Sequence, residues 1–452
     1  MTVQHSQELH FAPAGSKKRK TQIVIVGGGA AGLELAARLG RRFGRRDHDI
    51  ILVERNRTHI WKPLLHEVAT GALDANIDEV GYRSHCKRWG YRFFHGTLES
   101  VDTEARLIHL APLMEDGREL ISRHSLRYDY LVLAFGSITN DFGTPGVREH
   151  CMSLDSRAEA DRFRDRLLNH CLAASRAMIA NPDDDARVRV SIVGAGATGV
   201  ELAAELYNAA DALGYYGLEV FDGRRLEVTL IEAGPRILPA LPDRLSHAAR
   251  AELEKLGVRV LTGVPVTQVT ADAIVTRDGE AIPADLMVWA AGVRATPIAG
   301  RLGGLELTRS GQILTTATLQ SVSDPHVFAI GDCASCTPPG RTQPVPPRAQ
   351  SAHQMAACVY DNLIRLMDNR PLRAFIYKDH GSLVSLSRYS TLGSLMGSLS
   401  RGSLAIEGRI ARFVYTSLYR MHLIAIHGWI RGSALILAGH VHAILRPKLK
   451  LH

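Results

Sequence analysis

Apolar and polar positions divide this chain into two similar stretches and a contrasting tail. The first apolar run, QIVIV (residues 22–26), has strand length and β-branched character. A glycine cluster follows, and LELAARLG (33–40) then sets its apolar positions at helical spacing. A second strand, DIILVE, ends on Glu54. The same order of elements returns with VRVSIV (188–193), the helix VELAAELYNAA (200–210) and the strand LEVTLIE, which ends on Glu232. Two further apolar runs close on glycine, YLVLAFG (130–136) and LMVWAAG (286–292), and HVFAIGD (326–332) closes on Asp332. Strands alternating with helices in this way predict an α/β protein with two mainly parallel, Rossmann-like sheets.

The residues between strand and helix supply the chemistry. Gly27-Gly28-Gly29-Ala30-Ala31-Gly32 is GxGxxG in the right context. The first glycine makes a tight turn, the second admits a pyrophosphate to the backbone, and the third lets helix pack on strand. Unpaired N–H groups and the dipole at the helix start favour an anion there. Glu54 lies 22 residues past Gly32, suitably placed to accept from ribose hydroxyls. Gly194-Ala195-Gly196-Ala197-Thr198-Gly199 repeats the pattern, with Glu232 as its acid and GYYGLEVFDGRR (214–225) as an inserted loop. Glu232 would repel a 2′-phosphate, which selects NAD(H) over NADP(H), although Arg236 stands only four residues on. Asp332 beside Gly331 suits the ribityl chain of a flavin. Two cradles and this third element imply one dinucleotide held and one exchanged, with FAD and NADH as the natural pair because flavin accepts a hydride and releases single electrons.

The chain has 452 residues and a formal net charge of +8. Eight Lys or Arg against Glu407 alone put +7 in the last 52 residues, leaving about +1 for the first 400. A basic, apolar terminus on a near-neutral body points to an anionic surface. It is too apolar for a phosphate-binding arm, so no nucleic-acid partner is expected. The longest uncharged run there, GSALILAGHVHAIL, has 14 residues, short of the about 20 that a span needs. Upstream, Ile410, Phe413, Val414, Leu418, Met421, Ile424 and Ala425 form one helical stripe, with Leu423 out of place. Amphipathic cationic helices with a Trp, here Trp429, read as elements that lie on a membrane surface. Residues 1–20 end in Lys17-Lys18-Arg19-Lys20 without an apolar core, which predicts a disordered basic leader rather than a secretory signal. Six scattered cysteines are not a disulfide framework and suit a reducing compartment. Cys333 and Cys336 form a CxxC with no second ligand pair, so no metal site is expected and all six read as structural.

Beyond the glycine loops, six stretches resemble a known family: HIWKPLLHEVATGALD (59–74), GATGVELAAEL (196–206), AIGDCASC (329–336), VPPRAQSAHQMA (345–356), YKDHGSLVSLS (377–387) and GRIARFVYTSLYRMH (408–422). The chain is similar from about residue 21 onward to the two-dinucleotide-binding flavoproteins, and within them to the type II NADH:quinone oxidoreductases. The resemblance implies an enzyme that oxidises NADH through non-covalent FAD and reduces a membrane quinone of ubiquinone type without pumping protons. It implies a peripheral, monotopic position on the cytoplasmic face of the bacterial inner membrane, held on anionic phospholipid by 408–452. A homodimer is compatible with it.

The resemblance also distributes roles. Gly27, Gly29, Ala31, Gly32, Glu54, Lys62, Asp332 and Gln350 would hold FAD. Gly194, Gly196, Thr198, Gly199, Glu201, Glu232 and Gly292 would hold NAD(H). Gln350 and Gln354, one turn apart on a helix begun by Pro346 and Pro347, would meet the quinone with Lys378. The start of that helix would face the flavin and favour negative charge on it. Glu201 would act where nicotinamide meets flavin, or relay protons. The expected division is FAD domain 21–155 and 301–360, NAD(H) domain 156–300, and a capping and membrane region 361–452. Two rivals remain open: an FAD- and NAD-binding redox sensor, and a reductase fed by another donor such as sulfide.

Overall fold

The structure is a computed structural model, and it describes residues 19–445 except 45–47, 182, 184, 214–220, 222, 297, 299–300, 387–389, 397–402 and 408–418. The leader, most of the inserted loop, the stripe residues Ile410, Phe413, Val414 and Leu418, and the basic end of the tail lie outside the described residues. The chain folds as two compact units, one of 1–59, 79–138 and 294–378, the other of 60–78, 139–293 and 379–452.

The first unit is built on a five-stranded parallel sheet. Its strands run Val327–Ala329, Tyr130–Leu133, Thr21–Val26, His48–Glu54, Arg92–His95 across the sheet. Ile23, Val24 and Ile25 are all fully buried. A strand covered on both faces has no polar side to show, which is why QIVIV reads as an unbroken apolar run. Helix Ala30–Phe43 buries Leu33, Leu35 and Leu39 and packs along helix Ala349–Met367. A three-stranded antiparallel sheet, His124–Arg127, Leu107–Leu110 and Leu98–Asp102, adds Leu98, Ile108 and Leu110 to the same core as Val24, Val26, Ile51 and Val53.

The second unit repeats the plan with a four-stranded parallel sheet, Arg259–Thr262, Leu226–Glu232, Val188–Val193, Leu286–Trp289. Helix Arg157–Ala180 starts at a capping box: Ser156 Oγ accepts from Glu159 N–H at 3.3 Å, and the Glu159 carboxylate accepts from Ser156 N–H at 2.9 Å. Helix Leu65–Thr70 packs between it and helix Ala197–Leu213, burying Leu65, Val68 and Ala69. Residues 60–78 and 139–155 pack in this unit. A short amphipathic helix carries no mark of which sheet it will cover, so its packing is set by tertiary structure. A three-stranded antiparallel sheet, Gly381–Leu386, Ser390–Met396 and Ser403–Glu407, brings Val384 and Leu386 into the same core.

The tail contributes a helical stretch over 419–427 and helix Trp429–Leu445, separated by Gly428 at φ +77°. Gly432 lies so close to Ile424 that a Cβ there would stand 2.9 Å from its Cα. His422, Leu423 and Ile426 face the protein, and the His422 ring lies 4.0 Å from that of Trp61. Leu423, out of place in the predicted stripe, therefore belongs to the protein-facing side. Met421, Trp429, Ile430 and Leu437 are exposed. Among the described residues no helix is long and apolar enough to cross a membrane.

Candidate active site

In the first unit the glycine loop is held at both main-chain groups of one residue, Gly28. Gly27 adopts φ +104°, and a Cβ on it would stand 2.7 Å from Phe135 Cα. A Cβ on Gly32 would overlap the carbonyl oxygen of Gly27, so helix and loop touch only because no side chain intervenes. Gly28 N–H donates to Glu54 Oε2 at 2.7 Å, while Asn56 N–H and Nδ2 donate to Oε1 at 3.0 and 2.9 Å. On the other face, Tyr82 Oη donates to the Gly28 carbonyl at 2.7 Å and His59 Nδ1 lies 3.0 Å from it. Burial, with Glu54 nearby, pushes the Tyr82 phenol well above its ordinary range, so it remains a donor. Tyr82 and His59 were missed from sequence, where the one hint is a third glycine, Gly28, at a position the motif leaves free.

The space in front of this loop fits an anionic dinucleotide. A Cβ on Gly29 would meet nothing within 4 Å. Helix Ala30–Phe43 has no side-chain cap and no acid in its first turn, leaving its N–H groups for a pyrophosphate. Ala31 is buried beneath that turn. Asp332 follows strand Val327–Ala329 in the turn Gly331–Cys333, and its Oδ2 accepts from Ser137 Oγ at 2.9 Å. Gly331 N–H points at Met355 Sδ, 3.3 Å away, which ties the turn to helix Ala349–Met367.

The second unit reproduces the cradle. Gly194 has φ +103°, a Cβ on Gly196 would meet nothing within 4 Å, and one on Gly199 would overlap the Gly194 carbonyl oxygen. Glu232 Oε2 accepts from Ala195 N–H and Oε1 from Gly234 N–H, both at 2.8 Å. Here the Ala195 carbonyl accepts from main chain, Leu238 N–H at 2.8 Å, with Leu238 at φ +47°. Thr198 stands exposed in the first turn of helix Ala197–Leu213. Arg236 is turned elsewhere: it donates to Leu241 and Pro239 carbonyls at 2.8 and 3.0 Å and lies 2.6 Å from Asp243. Gly292 accepts from Asn140 N–H at 3.3 Å through its carbonyl.

Glu201 is buried on the loop-following helix, and His66 Nδ1 lies 3.6 Å from its Oε2. Burial lowers the His66 pKa to about 4, against a hydrogen bond to the Pro63 carbonyl that works to raise it. His66 is therefore neutral at neutral pH, and its contact with Glu201 is not an ion pair. His66 was not singled out from sequence. Lys62 also falls in this unit, 2.8 Å from Asp155.

Gln350 and Gln354 share a helix of the first unit, about one turn apart, which keeps them neighbours on one face. Gln354 is engaged: Nε2 donates to Lys378 C=O at 2.8 Å and Oε1 accepts from Lys378 N–H at 2.9 Å. The structure thus brings Gln354 and Lys378 together through main chain, leaving the lysine side chain exposed. All six cysteines are free thiols. Cys333 is fully buried against the Leu133 and Ile330 carbonyls, and burial pushes its thiol up to about 12.

Two dinucleotide cradles of one design, each closed by its own glutamate, define a two-nucleotide oxidoreductase. Residues 21–356 match the family described as pyridine nucleotide-disulphide oxidoreductase. A type II NADH:quinone oxidoreductase of Haemophilus influenzae is 45% identical over 442 residues, covering 95% of this chain and 99% of that one. Among solved structures, NDH2 of Plasmodium falciparum in complex with NADH superposes with a TM-score of 0.80 at 19% identity, covering 96% of this chain and all of that one. The sulfide:quinone oxidoreductase of Aquifex aeolicus has the same fold, with a TM-score of 0.70 at 17% identity, over 94% of this chain and 95% of that one. The chain belongs to the pyridine nucleotide-disulphide oxidoreductase family and, within it, to the type II NADH:quinone oxidoreductases.

Proposed function

We infer that this protein oxidises NADH and reduces a quinone to quinol by way of a bound flavin. The duplicated cradle carries the reading, because one bound and one exchanged dinucleotide need two such loops. The flavin couples a two-electron donor to an acceptor in a different phase. Gly27, Gly29, Ala31, Gly32, Glu54 and Asp332 support its being FAD: a pyrophosphate cradle and a ribose acceptor have work to do only if the flavin carries an adenylate. Gly194, Gly196, Thr198, Gly199, Glu232 and Gly292 hold NAD(H). Glu232 excludes a 2′-phosphate by repulsion, and Arg236, committed to Asp243 and two carbonyls, does not rescue it.

The remaining roles follow from chemistry. Glu201, with His66 at its side, orients the nicotinamide carboxamide or passes a proton. Gln350 donates to a quinone carbonyl without titrating. Gln354 holds Lys378 at the same place, and the Lys378 ammonium supplies positive charge at the mouth. Lys62 would add positive charge near the flavin ring. The exposed Trp429, Ile430 and Leu437 support surface attachment of 408–452 to anionic lipid, on the cytoplasmic side where NADH is made. A homodimer is compatible with this arrangement.

The test is anaerobic. NADH should bleach the flavin band near about 450 nm, NADPH should not, and a short-chain quinone should restore it. Bleaching without recovery removes the quinone and the roles of Gln350 and Gln354. Bleaching by sulfide instead of NADH supports the other donor, and no bleaching leaves a sensor.

A further inference from the structure

The overall exchange, NADH + H⁺ + quinone → NAD⁺ + quinol, takes one proton from solution. Neither glutamine can give it, since amides do not titrate. The helix that carries them has one histidine, the side chain that most readily gives a proton near neutral pH. His353 lies three residues after Gln350, so the two are neighbours on the helix surface. Its Nδ1 is 2.6 Å from Oε2 of Glu34, on helix Ala30–Phe43. Glu34 is only 1% exposed, and its Oε1 accepts no hydrogen bond. Arg38 Nε comes within 3.5 Å of that oxygen. Among the described residues, Glu34 and Arg38 are the charged groups that act on His353. A buried carboxylate with one oxygen unsatisfied costs free energy unless a counter-charge stands beside it. Arg38 stands by Oε1, and an imidazolium at 2.6 Å adds counter-charge at Oε2. The His353 side chain is 45% exposed, and Nε2 makes no hydrogen bond among the described residues. Nδ1 is thus fixed on the buried acid while Nε2 is open to a ligand and to water.

We propose that His353 is the acid that protonates the quinone, and that buried Glu34 is the positioning residue that keeps it charged. The proposal rests on the quinone-reductase reading above. In the step, the Nε2–H bond breaks and a bond from that proton to one quinone oxygen forms, as the two electrons and one proton of the hydride taken from NADH pass from the reduced enzyme to the quinone and complete the quinol. The neutral imidazole then takes a proton from water. The hydrogen bond to Glu34 raises the His353 pKa, against burial and Arg38, so the charged form persists to higher pH than in a free histidine.

The experiment measures reoxidation of NADH-reduced holoenzyme by a short-chain quinone across pH, together with ¹⁵N NMR titration of histidine-labelled protein. In wild type the rate should fall as pH rises through the His353 pKa. Glu34→Gln, nearly isosteric, should move that fall and the NMR titration to lower pH by about 1–3 units. His353→Gln should remove the pH-dependent limb and slow reoxidation by about 100-fold or more. Should His353→Gln not fold, the Glu34→Gln shift alone decides. An unchanged pH profile and an unchanged imidazole titration in Glu34→Gln would overturn the proposal. If wild type is bleached by NADH but never reoxidised by quinone, the quinone reading itself fails and takes this proposal with it. That outcome is visible before any variant is made.

Discussion

Gly28 shows how much a single residue decides. Its N–H and its carbonyl are both bonded, and a Cβ would stand 2.7 Å from Tyr82 Cε1. Gly28→Ala should force the phenol away, at a cost of about 1–3 kcal/mol, and the purified variant should lose flavin on gel filtration. His66 makes a prediction about pH. Its folded pKa of about 4 lies below the ordinary 6.5, so the unfolded chain binds the extra proton between those values. The stability contribution is full above pH 6.5 and is lost as pH falls toward 4, by roughly 3 kcal/mol in all. Urea midpoints at pH 7 and pH 5 should differ in wild type, and the difference should shrink in His66→Asn.

At the scale of elements, the helix Ala349–Met367 is joined to the following chain by the amide of Gln354. Gln354→Ala removes two hydrogen bonds and should cost about 1–3 kcal/mol, with a higher KM for quinone. Lys378→Ala keeps both bonds, because they belong to its main chain, and should change the quinone kinetics with little loss of stability. Both glycine loops and their acids were legible in the sequence because each lies within one strand–helix–strand unit, where local spacing sets the geometry. Tyr82 and His59 were not legible, since they reach the Gly28 carbonyl across 54 and 31 residues. His66 was hidden for the same reason: its partner Glu201 is on a different helix, and no periodicity links them. Gln354 reads from the sequence as a quinone contact beside Gln350, but its engagement with the Lys378 main chain depends on a return of the chain that no pattern announces.

At the scale of the whole molecule, charge and apolar exposure gather in the last part of the chain. Trp429 and Ile430 are 77% and 88% exposed, an arrangement that water alone does not favour. Co-sedimentation with anionic vesicles should exceed that with neutral ones and weaken as salt is added. Burying a large apolar side chain contributes about 1.5–3 kcal/mol, so changing both residues to Ser should lower partitioning by roughly tenfold or more. Flavin reduction by NADH in solution should be unaffected, because neither residue belongs to a cradle.

The two cradles differ in what secures the central carbonyl. In the first it is gripped by side chains, Tyr82 and His59, and in the second by the main-chain N–H of Leu238. A side-chain grip can be abolished by one codon change. A main-chain grip survives any substitution that leaves the path of the chain intact. The first cradle is accordingly the fragile one under random mutation, and purifying selection has to guard two distant codons to keep it. The second asks of position 238 only that its turn persist and its buried site stay filled.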